Sequence, residues 1–332
     1  MFRRIARRLT AGVGIVLFVV TVTFILINLA PGDPARLWVA PGAGEAELEM
    51  ARRSLGLDRS LVIRYLSWLG GFTTGNWGVS LTQQRPVASI IAAALPHTLL
   101  LSAASLLVTY VGGILIGTYQ AIRSRTAVDT GLTVSTLVVY GMPAYWLAIM
   151  LVLVFAYVSA RHGWPMWLRF PALGVASLDA DFLSPAERFV DRLRHLVLPL
   201  LTLGLIGVAG TARFVRGAVL DTRFKPFVQN ARAKGIPPVA VELRHVLRNA
   251  LLPVITLLGL SLPALFSGTV FVEVIFAWPG MGRVMVDAVG GRDYPIVMAT
   301  TAIFASLVVI GNLLADIMYG IADPRISETR SA

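Results

Sequence analysis

Apolar runs as long as a bilayer is thick recur along this chain, at about Leu9–Leu29, Thr98–Ile122, Gly131–Val158, Leu196–Ala212, Ala250–Ile275 and Ile296–Ile321. A run of ~20 such residues satisfies its backbone in lipid only as a helix, so the fold is restricted to a bundle of roughly six membrane-spanning helices. Composition agrees: 56% of the 332 residues are hydrophobic and 14% charged, far from a soluble globular domain. The formal net charge of +11 does not point to nucleic acid, because the basic residues gather in particular connections and form no continuous patch. With 0 cysteines, disulfides and thiolate-held metals are excluded.

Arginine sets the orientation. The first run follows Arg3, Arg4, Arg7 and Arg8 as a secretory leader would. Its apolar core exceeds the ~7–15 residues of a leader, and no small-residue cleavage site follows, so it reads as a retained anchor. The connection between runs four and five carries Arg213, Arg216, Arg223, Lys225, Arg232, Lys234, Arg244 and Arg248 against Asp221 and Glu242. The positive-inside rule makes that connection cytoplasmic, and an even number of spans puts both termini on the same side. Residues 1–96 are then an anchor helix with an extracytoplasmic segment, 97–321 a transmembrane core with a special connection at 225–249, and 322–332 a cytoplasmic tail. In the outer segment, Asp58 is placed to cap a short helix presenting Leu61, Val62, Tyr65, Leu66, Trp68 and Leu69, with Gly70-Gly71 ending it.

Patterns that carry chemistry are sparse. Hydrolysis of ATP by the chain itself would need a phosphate-cradling loop whose lysine is followed by Ser or Thr. The two lysines, Lys225 and Lys234, precede Pro226 and Gly235, so any ATPase has to be another polypeptide. Proton-coupled transport would want ionisable partners near mid-membrane, but the acidic candidates Glu273 and Asp316 sit toward opposite ends of their runs, ~20 Å or more apart. His97, His162, His195 and His245 are scattered over run ends and connections, with no metal-binding spacing. An intramembrane hydrolase finds no Ser/Lys or metal-ligand pair at helical spacing. Gly113 with Gly117, Gly204 with Gly207 and Gly210, and Ala264 with Gly268 offer faces that another helix can approach closely, in this chain or in a second one. Gly141-Met142-Pro143 and Pro263 interrupt their runs, as packing kinks or as breaks along a pathway.

The connection from Lys225 to Ile255 has its own logic. Phe227–Lys234 favours a short helix, which Gly235 can stop in the left-handed region ahead of Pro237-Pro238. A second helix starting at the prolines would present Val239, Leu243, Val246, Leu247 and Ala250 as one stripe, with Arg244 and Arg248 turned away, and run on into the fifth apolar run. Force on the turn would then reach a membrane helix.

The stretch Gln229-Asn230-Ala231-Arg232-Ala233-Lys234-Gly235, followed by the basic run into Leu252-Pro253, resembles the cytoplasmic coupling loop of ABC-type importer permeases, above all the branch that moves dipeptides, oligopeptides and nickel. Leu55-Gly56-Leu57-Asp58, Gly75-Asn76-Trp77-Gly78 and Leu95-Pro96-His97-Thr98-Leu99 are similar to the N-terminal region of peptide-type permeases. The likeness extends from Leu29-Ala30-Pro31-Gly32-Asp33-Pro34 to Ala322-Asp323-Pro324-Arg325. The resemblance implies an all-α membrane protein with six transmembrane helices and a sizeable extracytoplasmic loop between the first two. It implies a non-enzymatic permease that moves peptides or a related small solute across the cytoplasmic membrane by alternating access. Gln229, Asn230, Ala231, Arg232, Ala233, Lys234 and Gly235 would be its ATPase-coupling residues. Implied partners are a second, homologous permease subunit, cytosolic ABC ATPase subunits using ATP and magnesium, an extracytoplasmic substrate-binding protein, and membrane lipid. No cofactor or metal is implied for this chain itself. Gln229 stands where the general pattern often has glutamate, and the spacing from Gly235 to Pro253 is longer than in sugar-type relatives, which fits the peptide branch. The alternative is a stand-alone channel or ion-coupled carrier, and the lack of a charged intramembrane cluster weighs against it.

Overall fold

The structure, a computed structural model, describes residues 2–29, 32–40, 42–261 and 269–322. Among them it is all-helical apart from an isolated bridge between Val79 and Pro86. The principal helices are α1 (Phe2–Leu29), α2 (Glu45–Ser54), α3 (Leu61–Thr73), α4 (Val87–Ile122), α5 (Ala127–Gly141), α6 (Ala144–Arg161), α7 (Pro185–Arg223), α8 (Pro226–Ala233), α9 from Pro238 to Ala250, α10 (Leu252–Ser261), α11 (Val270–Ile275), α12 (Met281–Gly290) and α13 (Tyr294–Ala322). Five of the described helices, α1, α4, α6, α7 and α13, are long and apolar enough to cross a membrane. The expected run Ala250–Ile275 is seen as α10 and α11 on either side of residues 262–268. Those residues, which include Pro263, Ala264 and Gly268, lie outside the described residues, as do Ala30, Pro31 and the tail from Asp323 onward.

Two expected spans have different bounds. The run Gly131–Val158 is split, because Pro143 drives Met142 out of the helical region to φ −77, ψ 131 and α5 stops at Gly141. The run Leu196–Ala212 is only the apolar middle of α7, which starts much earlier at a capping box between Ser184 and Glu187 with Pro185 as its first residue.

One unit comprises residues 1–98 and 279–310. Here Leu55-Gly56-Leu57-Asp58 closes α2: Gly56 takes φ +67, and the N–H groups of Gly56 and Leu57 donate to the carbonyls of Arg53 and Arg52. Asp58 therefore belongs to the stop of one helix and does not cap the next, whose N-cap position is Ser60. Gly70-Gly71 does not end α3 either, because the helix continues to Thr73 and the left-handed stop falls at Gly75, φ +82. The α3 face that packs keeps Tyr65 and Trp68 of the expected one but not Leu61, Val62 or Leu66. Tyr65, Trp68 and Phe72 join Val16, Val20 and Phe24 of α1, with the Tyr65 hydroxyl 2.7 Å from Thr21 Oγ1, while Leu61, Val62 and Leu66 stay exposed. At the start of α13 the buried Asp293 accepts hydrogen bonds from Ser80 Oγ and from the Thr82 amide and hydroxyl, pinning the turn before α4.

The other unit comprises residues 99–278 and 311–332. Its glycine faces meet each other. A side chain at Gly113 or Gly117 would strike Thr211, Ala212 and Val215 of α7, and one at Gly204 or Gly207 would strike Val108 and Thr109 of α4. The close approach left open by the sequence is thus made within this chain. His195, expected near a span end, is buried inside α7 with Nδ1 2.9 Å from the Asp191 carbonyl.

Candidate coupling surface

After α7, Phe224 breaks the helix and Pro226 restarts it as α8, with Lys225 extended at the N-cap position. The short helix is held by two residues, Val228 and Ala231, buried among Val215, Val219, Val241, Val246 and Ala250. Helical geometry then turns the rest outward. Of the seven expected coupling residues, Gln229, Asn230, Arg232, Ala233, Lys234 and Gly235 are exposed and Ala231 is an internal anchor. Gly235 ends α8 at φ +74, its N–H donating to the Arg232 carbonyl at 2.9 Å and that of Ile236 to the Ala231 carbonyl at 3.4 Å. Gln229 uses its amide locally, donating to the Phe224 carbonyl.

Behind this helix lies a charged knot. Glu242 accepts from Arg223 at 2.9–3.0 Å and meets Arg232 at 3.5 Å, and Arg223 also donates to the Ala121 carbonyl at the end of α4. One carboxylate therefore ties α8, α7 and α9 together, with a cation on the carbonyl end of α4.

The stripe expected on α9 packs inward only in its second half, at Val246, Ala250 and the partly buried Leu247. Val239 is 71% exposed and Leu243 59%, whereas Val241, Val246 and Ala250 are buried. The reason is winding: Val241–Leu247 is a π-helix, so inward positions recur at a spacing of five, Val241 to Val246, and not at three or four. Val239 and Leu243 instead join Phe224 and Phe227 as exposed apolar side chains around α8, interleaved with Lys234, Arg244 and Arg248. The register is testable: Val246→Ala should destabilise by about 2 kcal/mol and Leu243→Ala by much less, measured as thermal unfolding of the purified protein. Equal losses would return the segment to an ordinary α-helical face.

Sequence reading missed one further element. Asp129, buried in the first turn of α5, receives both Nε and Nη2 of Arg216 on α7 at 2.8 Å, together with the Arg125 amide at 3.0 Å. The Arg216 guanidinium beside it holds its carboxyl below the usual range, against an opposing effect of burial. Gln120 and Thr133 extend this polar chain from α4 into α5. Acid and base lie 87 residues apart, so spacing carried no signal.

The chain as a whole is similar to known proteins. The family described as binding-protein-dependent transport system inner membrane component matches residues 113–328, and its N-terminal counterpart matches residues 1–102. An oligopeptide transport system permease protein of Bacillus subtilis is 39% identical over 97% of this chain and 98% of its own length. A di/tripeptide transport system permease protein of Pseudomonas aeruginosa is 37% identical over 99% of this chain and 100% of its own. A glutathione transport system permease protein of Escherichia coli K12 is 34% identical over 93% and 94%. Among solved structures, a crystal structure of an amino acid ABC transporter with histidines superposes with a TM-score of 0.51, at 14% identity, over 70% of this chain and 93% of that one, a likeness of fold.

Proposed function

The chain belongs to the family of binding-protein-dependent transport system inner membrane components, a permease subunit of an ABC importer, and from that premise we propose that it carries peptide-like solutes inward as one of two related permease subunits. The cargoes named for its relatives, oligopeptides, di- and tripeptides and glutathione, share a peptide backbone, and we assign that chemistry to the cargo. Cytosolic ATPase subunits, which use ATP and magnesium, dock on the exposed face of α8, and a binding protein delivers cargo from outside. Six spans cross the membrane, the fifth within the apolar run Ala250–Ile275. Residues 1–96 are the anchor and outer segment, 97–321 the core, and 225–249 the coupling segment, with the tail and N-terminus cytoplasmic. Nucleotide binding and cargo delivery bias inward- and outward-open states by their differential affinity for each.

The observation that carries this reading is the build of α8: an exposed polar helix and glycine turn, backed by buried Val228 and Ala231 and by the Arg223–Glu242 pair. A surface made to receive force needs a stiff backing. Affinity purification of the chain from its own cells should bring down an ATPase in stoichiometric amount, and ATP hydrolysis should vanish when the chain is isolated. A lone chain that transports in vesicles would instead support the carrier. Orientation has a separate test, since the chain has 0 cysteines and a single introduced thiol reports without background. In intact cells Gln229→Cys should not react with an impermeant maleimide, and its labelling from outside would reject the topology.

A further inference from the structure

The helix α3 runs back along α1. Its early residue Tyr65 meets Thr21 and Phe24, and its last residues, Phe72 and Thr73, share a hollow with Leu9, Gly12 and Val16. Two hollows lie along this seam and both touch Trp68. The first, about 250 Å³, is walled by Phe24, Ile27, Trp68, Tyr294 and Met298 and includes Arg59 and Arg64. The second, about 290 Å³, is almost wholly apolar, with Val16, Val20, Leu69, Phe72 and Val309 in its walls.

The polar end is incomplete. Arg64 is half-buried and has neither a carboxylate nor a hydrogen-bond acceptor among the described residues, and burial alone pulls its pKa down. Asp33, which lines an adjoining hollow together with Arg64, is already engaged by Arg52 at 2.6 Å and by the Ala35 amide at 3.0 Å. The Tyr294 hydroxyl and Trp68 indole N–H, buried in the same walls, also have no partner among the described residues. Desolvating a cation without a counter-charge is costly, so what this end lacks is an anion. What the other end lacks is hydrocarbon. The outer face of α3 repeats the signal, with Leu61, Val62, Ile63 and Leu66 each at least half exposed.

We propose that the α1–α3–α13 seam binds an anionic phospholipid, its phosphodiester held by Arg64 and Arg59 and its acyl chain laid past Trp68 toward Val20. The eight helical steps of α1 from Asn28 to Val20 span about 12 Å, within the ~15 Å of hydrocarbon that one leaflet offers. Zwitterionic lipids fit less well, because their ammonium would find Asp33, the acid that lines the adjoining hollow with Arg64, already paired.

Trp68 makes the site readable. The full-length chain would be reconstituted in phosphatidylcholine vesicles containing increasing phosphatidylglycerol brominated on its acyl chains, and tryptophan quenching followed. Brominated phosphatidylglycerol should quench more than brominated phosphatidylcholine at equal mole fraction, and the excess should disappear in Trp68→Phe. Arg64→Gln, which breaks no internal bond, should lower the apparent affinity about fivefold, one cation's share. Arg53→Gln, exposed and outside the hollow, should change nothing. Equal quenching by the two lipids, or a preference that survives Arg64→Gln, would overturn the proposal. So would displacement by soluble glycerol phosphate, which would mean a free-anion site, or by a soluble dipeptide, which would make the seam a place for cargo.

Discussion

Gly235→Val is expected to abolish transport while the protein reaches the membrane in normal amount. The backbone at Gly235 sits at φ +74, and an added Cβ would meet nothing within 4 Å. The cost is therefore conformational and not steric crowding from neighbours: a left-handed residue costs an L-amino acid about 1–2 kcal/mol, and a β-branched one more. The turn relaxes by giving up the two bonds from Gly235 and Ile236 to the Arg232 and Ala231 carbonyls, and the chain leaves α8 in another direction. No membrane helix depends on that turn for insertion. A graded series follows from the same physics, with Gly235→Asn milder than Gly235→Ala and that milder than Gly235→Val. Peptide uptake, membrane abundance and ATPase stimulation by loaded binding protein would be measured across the series in the assembled transporter. Full uptake by Gly235→Val, especially combined with Arg232→Glu, which sets a second carboxylate against Glu242, would remove the coupling role from this segment.

Arg216→Leu is expected to lower stability by about 2–3 kcal/mol, because it leaves the Asp129 carboxylate buried without the two charge-assisted bonds that offset its desolvation. The Asp129 side chain is only 5% exposed, so water cannot replace the guanidinium fully. Adding Asp129→Asn should recover much of the loss, since a neutral amide is far cheaper to bury than a lone charge. The pH dependence has a definite sign. The folded-state pKa of Asp129 is depressed, so its contribution is complete above the ordinary carboxylate value and is lost as pH falls through the lower folded value. The wild-type chain should therefore lose part of its thermal stability on acidification that Arg216→Leu does not. A single variant as stable as wild type would show that Asp129 is solvated in the native protein.

What could be read from the sequence was whatever depends on a residue's own properties. Hydropathy located the membrane-length runs, the missing Cβ marked Gly235 as a left-handed stop, and glycines at helical spacing announced a close helix contact. What could not be read depends on winding or on distance along the chain. The first half of the buried face of α9 was misassigned because nothing in VELRHVL announces a π turn, and that one change of pitch exchanges Val239 and Leu243 for Val241. The Asp129–Arg216 pair joins helices far apart in the chain, and an aspartate near a helix start has an ordinary local explanation as an N-terminal residue. The outer segment misled for a third reason: Asp58 and Gly70-Gly71 are sound cap and stop residues, but stops at Gly56 and Gly75 took precedence.

The glycine seam between α4 and α7 has a consequence for the route a solute takes. Along Gly113, Gly117, Gly204 and Gly207 the two helices touch nearly backbone to backbone, with side chains of one filling the space that the other leaves vacant. Not even a methyl group fits there, so a file of water molecules or an extended peptide has no lane between these helices. Prising them apart would expose peptide groups and forfeit contacts all along the seam at once. During a transport cycle α4 and α7 must then travel as one stiff strut, and the lumen that opens and closes must be bounded by their other faces.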